Sequence, residues 1–421
     1  MLKELRLVNW KSFRDATLYI DPLTIIIGMN ASGKSNVLDA LLFLQRIASG
    51  TPISIAIMGD AESPSLRGGL EWAARKPERE FELEILVGSP DERIDYRYSI
   101  GISVNGNRAE LASESLVRLK YSPRGKAPYG LNLYATKQRE TTGPGISAYF
   151  NTGTKGPGRR LDFNRTACIL NQVDSLKVRK DIAEAARVVI EQLRKIFILD
   201  PIPMHMRGYE PLSDSLQTDA GNIAGVLAGL PDKRRKEVEA TLTDHLKRLP
   251  EHDIGKIWTE RVGKFESDAM LYCEESWGAD RGATVVDARG MSDGTLRFLA
   301  IVSALLTLKE RSLLVVEEVD NGLHPARAHV LVNMLKQLGQ RRSIDVIVTT
   351  HNPAMLNALG NRMVPFVTVA HRSGDTGESH LTLLEEIERL PKLLASGGIG
   401  TLSEQGRIEE ALQEGDQGDA K

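Results

Sequence analysis

The spacing Gly28-x-x-x-x-Gly33-Lys34-Ser35, inside Leu23 to Asp39 (LTIIIGMNASGKSNVLD), carries the most direct chemistry in this chain. Two glycines so placed let a backbone wrap close to phosphate oxygens, with successive N–H groups and a helix N-terminus facing the anion. Lys34 would reach the β and γ phosphates of a nucleotide, and the Ser35 hydroxyl would ligate Mg²⁺. Ile25 to Ile27 before the loop read as a strand buried on both faces, and Val37, Leu38, Leu41 and Leu42 after it have helical spacing. A chance glycine-rich turn before an ordinary helix is the alternative, but the strand-loop-helix context is the one the motif requires.

A second group of reactive side chains lies far downstream. The apolar run Ser312 to Val316 ends in Glu317-Glu318. One carboxylate at such a strand end can hold Mg²⁺ through water while its neighbour polarises the water that attacks a γ-phosphate. Taken alone, the same pair also suits a surface turn. Ile344 to Thr350 forms another strand run ending in His351, which could hydrogen-bond the γ-phosphate or be a satisfied structural histidine. Between the loop and these glutamates stands Met291-Ser292-Asp293-Gly294-Thr295-Leu296-Arg297, before the apolar helix Phe298 to Leu308. Ser292 and Gly294 could make an anion-binding helix start; local chemistry favours a plain N-cap, Ser292 or Asp293.

The remaining chain must position these groups. Its 421 residues allow a large core and two or three structural units. A net charge of -2 gives no global attraction to nucleic acid or anionic lipid, so any such affinity must be local. Cys168 and Cys273 lack metal-ligand spacing and read as buried thiols of a reducing compartment. With no signal pattern at MLKELRLVNW and no run long enough to span a membrane, the chain reads as cytoplasmic.

Residues 4 to 20 suggest a β-hairpin feeding the Leu23 to Ile27 strand, and Thr51 to Gly69 reads as a loop. Strand signals return in FELEILV, YRYSIGISV, the Asn105-Gly106 turn and LVRLKYS. From Arg118 to Arg165, ten Lys or Arg face two acids, with six aromatics interleaved and glycines and prolines breaking the stretch into loops. Such a composition suits phosphate contacts with base stacking, and equally a solvated insertion. Asp174 to Leu199 and Asp232 to Leu249 have helical spacing, and the acidic segment Glu404 to Lys421 is expected to fray.

GMNASGKSN, MSDGTLR, LLVVEEVDNGLHP and TTHNP, in this order, resemble the ABC-type head of SMC, RecF and OLD ATPases. The opening LRLVNWKSFRD and the ending LPKLLASGGIGTLSEQGRIE are similar to compact bacterial AAA family ATPases with OLD-like or SMC-like heads. This resemblance implies an α/β fold: a mixed sheet with the phosphate-loop helix, an antiparallel β subdomain and an inserted helical lobe. Residues 1–50 and 285–390 would form the head, 51–165 a β-rich segment with the basic insertion, 166–284 the helical lobe, and 391–421 a C-terminal helix with an acidic tail.

Carried over by position, the resemblance implies Asn30, Gly33, Lys34, Ser35 and Asn36 as the Walker A contacts to ATP, with Ser35 on Mg²⁺. It makes Glu317 the Walker B carboxylate on Mg²⁺, Glu318 the catalytic base and His351 the switch histidine. Ser292 and Gly294 would form the signature motif that touches the ATP of a second subunit, and Asp320 would begin the D-loop. Gln172, in CILNQ, would be the Q-loop glutamine beside Mg²⁺. The sequence departs from the pattern twice: MSDGT stands where transporters have LSGGQ, and Walker B begins with glutamate.

A homodimer or higher homo-oligomer follows from the resemblance, as does ATP turnover. About 70 residues follow His351, without a DxD pair, so the Toprim nuclease domain of OLD proteins is not expected there. Nucleic-acid cleavage would then belong to a separate Toprim- or HNH-type effector, as in anti-phage systems. The competing readings are a RecF/SMC-like repair ATPase that clamps DNA through Arg118 to Arg165, and an assembly module that uses ATP as structural glue. A transporter subunit fits least.

Overall fold

A computed structural model describes the chain except residues 62, 123–126, 138–144, 250–253, 277–281, 323, 389 and 419–421. In chain order the strands are β1 (Leu2–Trp10), β2 (Phe13–Tyr19), β3 (Leu23–Ile27), β4 (Glu80–Gly88), β5 (Ile94–Asn105), β6 (Arg108–Lys120), β7 (Tyr129–Thr136), β8 (Gly145–Phe150), β9 (Arg159–Asn164), β10 (Ile196–Leu199), β11 (Glu210–Pro211), β12 (Ile254–Val262), β13 (Asp268–Glu275), β14 (Thr284–Asp287), β15 (Leu313–Val316), β16 (Asp345–Thr350), β17 (Val367–Arg372) and β18 (Ser379–Leu383). The α-helices are α1 (Lys34–Ala48), α2 (Ile53–Met58), α3 (Lys180–Arg194), α4 (Ile223–Gly229), α5 (Asp232–Leu246), α6 (Asp293–Thr307), α7 (Ala328–Arg342), α8 (Pro353–Leu359), α9 (Leu390–Leu394), α10 (Ile399–Glu404) and α11 (Arg407–Gly418).

The chain forms two compact units. The first holds residues 1–21, 28–196 and 368–383. Its strands follow the order β17-β18-β2-β1-β4-β5-β6-β7-β8-β9. From β1 outward to β9 every pairing is antiparallel, and the connection at Gly106, φ +58°, makes the β5–β6 hairpin. Inside this unit Trp10, Phe43 and Phe81 pack with ring centroids 4.8 Å (Trp10–Phe81) and 5.8 Å (Phe43–Phe81) apart. The Trp10 indole N–H also donates to the Asn36 carbonyl at 2.7 Å, so the aromatic core fixes the first turn of α1.

The second unit holds residues 22–27, 197–367 and 384–421. Strands β10-β15-β16-β3 lie in that order, with β15–β16 and β16–β3 parallel. Every residue of β3, β15 and β16 is buried, as in parallel strands covered on both faces, and apolar side chains dominate except at Thr24, Asp345, Thr349 and Thr350. A smaller antiparallel sheet joins β11, β13 and β12, with β14 also on β13. Helix α4 presses on it closely enough that a Cβ at Gly225 would come within 2.0 Å of the Pro211 carbonyl oxygen.

Four expectations are corrected here. Thr51 to Gly69 contains α2, whose Ile53, Ala56 and Ile57 are buried; six residues flanked by Gly, Pro and Ser gave too short a helical pattern. The basic stretch is not loop throughout: β7, β8 and β9 run through it, residues 151–158 lie outside any strand or helix, and Arg124, Lys126 and Arg139 lie outside the described residues. Residues 166–284, expected as a helical lobe, include β10 to β14, because the charged residues of β12 and β13 mask their alternation. The C-terminal segment does not fray at Glu404: Ile408 and Leu412, one helical turn apart, are buried and α11 runs to Gly418.

Candidate functional site

In the first unit the phosphate loop bends at two glycines. Gly28 has φ +144° and Gly33 φ +110°, in the region that favours glycine, and Ala31 joins them at +63°. A Cβ at Gly28 would lie 2.1 Å from the Ala370 carbonyl oxygen, and one at Gly33 2.9 Å from Phe13 and Ser379. The Lys34 ammonium is nearly buried and donates to the carbonyls of Gly28 at 2.6 Å and Met29 at 2.8 Å. Ser35 and Asn36 open α1, where the Asn36 side-chain amide donates to Ser12 Oγ at 2.8 Å; Asn30 is exposed at the loop tip.

These residues fit a nucleotide phosphate and Mg²⁺. The loop packs too tightly for a Cβ at Gly28 or Gly33, its lysine is held at the loop carbonyls, and the buried Ser32 hydroxyl has no hydrogen-bond partner. A magnesium ion bound with a nucleotide takes most of its oxygens from phosphate and water and needs one or two protein ligands. Ser35 in the first unit and Glu317 in the second each carry an oxygen of the right type.

Gln172 is a correction. Its side-chain amide donates to the Cys168 carbonyl at 3.2 Å, inside its own 3₁₀ turn, Leu170–Ser175. Neighbouring Asn171 donates to the Ile47 carbonyl, from which Cys168 Sγ is 3.7 Å. Ile47 is next to last in α1 whereas Ser35 is second, and fifteen helical residues span about 22 Å. The turn is therefore fastened at the opposite end of α1 from Ser35, out of reach of a metal there. The fastening is Glu114, fully buried, whose carboxylate accepts the Ile169 and Leu170 N–H groups at 2.6 and 2.7 Å and the Tyr134 hydroxyl at 2.9 Å.

In the second unit β15 and β16 deliver the other predicted groups. Thr350 pairs with Ile27, the residue before Gly28, and His351 follows it. Glu318 has φ +45°, a left-handed conformation that costs a non-glycine residue on the order of 1 kcal/mol or more and persists only where its surroundings enforce it. His351 Nδ1 stands 4.0 Å from Glu318 Oε1, and both side chains are about half exposed (52% and 44%). Asp320 is buried, with Oδ1 unpartnered.

At the start of α6, Ser292 caps the helix by accepting the Thr295 N–H at 3.1 Å, as its local chemistry predicts. Gly294 is needed for close approach: a Cβ there would lie 2.7 Å from the Gly322 carbonyl oxygen, beside Asp320. Arg207 fixes this corner by donating to Asp293 at 2.6 Å and to the Ala288 and Arg289 carbonyls at 3.0 and 2.7 Å. Sequence reasoning missed Arg207, since nothing marks a residue so distant in the chain. It also missed Arg67, which donates to the Ser35 carbonyl at 3.3 Å from a segment read as loop.

The described cations of the basic stretch are largely engaged. Arg118 faces Asp181 at 3.4 Å and Arg160 faces Asp162 at 3.0 Å. Arg159 donates to the Lys177 carbonyl and Arg165 to those of Gly145 and Leu111. Among the described residues no three His, Cys, Asp or Glu side chains cluster as a metal cage, and no helix is long and apolar enough to cross a membrane.

The first unit thus carries a glycine loop with its lysine and serine, and the second carries paired glutamates and a histidine at the ends of parallel strands. Residues 1–115 match the family described as "AAA ATPase domain", and residues 195–357 the family described as "AAA domain, putative AbiEii toxin, Type IV TA system". Two families of ATPase domains thus match separate parts of the chain, one holding the phosphate loop and the other the paired glutamates and the histidine. The chain is similar to the chromosome partition protein Smc of Mycobacterium tuberculosis, 25% identical over 301 residues, 66% of this chain and 22% of that protein. Smc of Mycolicibacterium paratuberculosis is 32% identical over 303 residues, 68% of this chain and 22% of that one. The chain thus spans about a fifth of the length of these relatives. Among solved structures, the SmcHead bound to the C-winged helix domain of ScpA is 15% identical, with a TM-score of 0.49 over 90% of this chain and 96% of that chain.

Proposed function

We propose that two copies of this chain close head to tail on two ATP molecules, and that the nucleotide-dependent dimer scaffolds or restrains a separate nuclease effector in anti-phage defence. Gly33, Lys34 and Ser35 of one copy and Ser292 and Gly294 of the other grip the phosphates. Ser35 and Glu317 would hold Mg²⁺, which would supply positive charge beside the phosphate oxygens. Glu318 takes the proton of the attacking water, and His351 hydrogen-bonds the γ-phosphate.

The observation that carries this reading is the start of α6. Nearly all of that helix is buried, yet Ser292 and Asp293 at its first turn are exposed, where a second copy can meet them. The description of the family matching 195–357, which names a putative toxin of a type IV TA system, supports a link to a toxic effector. Glu318→Gln tests the reading: ATP binding should persist, turnover should fall on the order of 100-fold or more, and light scattering should show a dimer that forms only with ATP. Unchanged turnover overturns it.

The likeness to Smc supports a second reading, a closed dimer that clamps DNA. Substituting Arg159, Arg160 and Arg165 together should then weaken duplex binding and flatten its salt dependence.

A further inference from the structure

Glu318 holds its left-handed backbone because of one side chain on the neighbouring strand. Strands β15 and β16 run parallel, and their pairing ends at Val316 opposite Val348; Glu317 then leaves the sheet while Thr349 stays in β16, paired with Ile26 of β3. Thr349 is buried (1% exposed) and receives the turn twice: its hydroxyl oxygen accepts the Glu318 N–H at 2.8 Å and its carbonyl accepts the Val319 N–H at 3.1 Å. The Glu318 carbonyl then accepts the Asn321 N–H at 2.8 Å and closes the turn. Valine has the shape of threonine and suits a buried strand, so burial alone does not call for a hydroxyl at this position. The hydroxyl meets a donor that the β ladder no longer satisfies.

We propose that Thr349 is a positioning residue for ATP hydrolysis: by accepting the Glu318 N–H it fixes the backbone that aims the Glu318 carboxylate beside His351. It touches no substrate and acts through Glu318. This inference rests on the assignment of Glu318 as the base and goes beyond it by naming what holds the base in place.

The experiment compares Thr349→Val, Thr349→Ser and Glu318→Gln in the full chain. Thr349→Val should lower kcat about tenfold, the effect of one lost hydrogen bond at a reacting group, with KM for ATP and the ATP-dependent dimer unchanged. Thr349→Ser, which keeps the hydroxyl, should recover most of the rate. The double variant Thr349→Val with Glu318→Gln should be no slower than Glu318→Gln alone, because both act on one group. If Thr349→Val does not fold, Thr349→Ala takes its place in the same comparison. Wild-type kcat in the hydroxyl-free variant, or a serine variant as slow as it, overturns the proposal while leaving Glu318 in its role. Wild-type turnover in Glu318→Gln overturns the assignment of the base, and this inference with it.

Discussion

The phosphate loop and the Glu318 turn are built in opposite ways. Gly28, Gly33, Lys34 and Ser35 come from eight consecutive residues, and the conformations they need are encoded where they stand. Glu318 owes its conformation to Thr349, thirty-one residues later, through the register of two parallel strands. The proposed binding loop is thus specified locally, whereas the proposed base is held by tertiary structure. Two kinds of lesion should follow: changes in the loop abolish nucleotide binding, and changes around Glu318 spare binding but slow hydrolysis.

Lys34→Ala gives the largest effect and breaks the first half of that contrast. ATP affinity should fall on the order of 100-fold, measured by calorimetry, with the folded state intact. Affinity within a few-fold of wild type would place the phosphates elsewhere. Gly28→Ala sharpens the local side. The added Cβ would meet the Ala370 carbonyl oxygen at 2.1 Å from a backbone at φ +144°, so thermal unfolding should show a loss of roughly 2–3 kcal/mol.

Legibility in the sequence followed the same division. The fully buried strands β3, β15 and β16 and the phosphate loop could be read directly, because each is continuous in the chain. Arg207, Thr349 and Glu114 could not, since each acts on residues thirty to more than eighty positions away. Gln172 failed for a related reason. CILNQ has the pattern of a metal-side glutamine, but Glu114 binds the turn where it meets the end of α1.

Glu114 supplies a pH test of that third region. Burial pushes its carboxyl up to about 7, against the Ile169 and Leu170 amides and the Tyr134 hydroxyl, which favour the ionised form. The unfolded chain releases this proton near the ordinary value of 4.5, so between there and about 7 the folded state binds the extra proton. Stability from this group is full below the unfolded value and is lost as pH rises to about 7. The Tm of wild type relative to Glu114→Gln should therefore fall from pH 5 to pH 7.5; a flat difference would remove Glu114 as the source. Gln172→Ala should have the smallest effect, changing turnover and its Mg²⁺ dependence by less than about twofold. A large rise in the Mg²⁺ requirement would return Gln172 to the metal.

The shared site is tested most directly by mixing two inactive chains. Lys34→Ala removes the proposed grip of the loop, and Ser292→Arg blocks the helix start proposed to face the partner's nucleotide. Each alone should be inactive. In a mixed dimer, one of the two sites joins an intact loop to an intact Ser292, so an equal mixture should regain about a quarter of wild-type turnover. No recovery, in a mixture shown by mass to contain the mixed dimer, would contradict a site built from two copies.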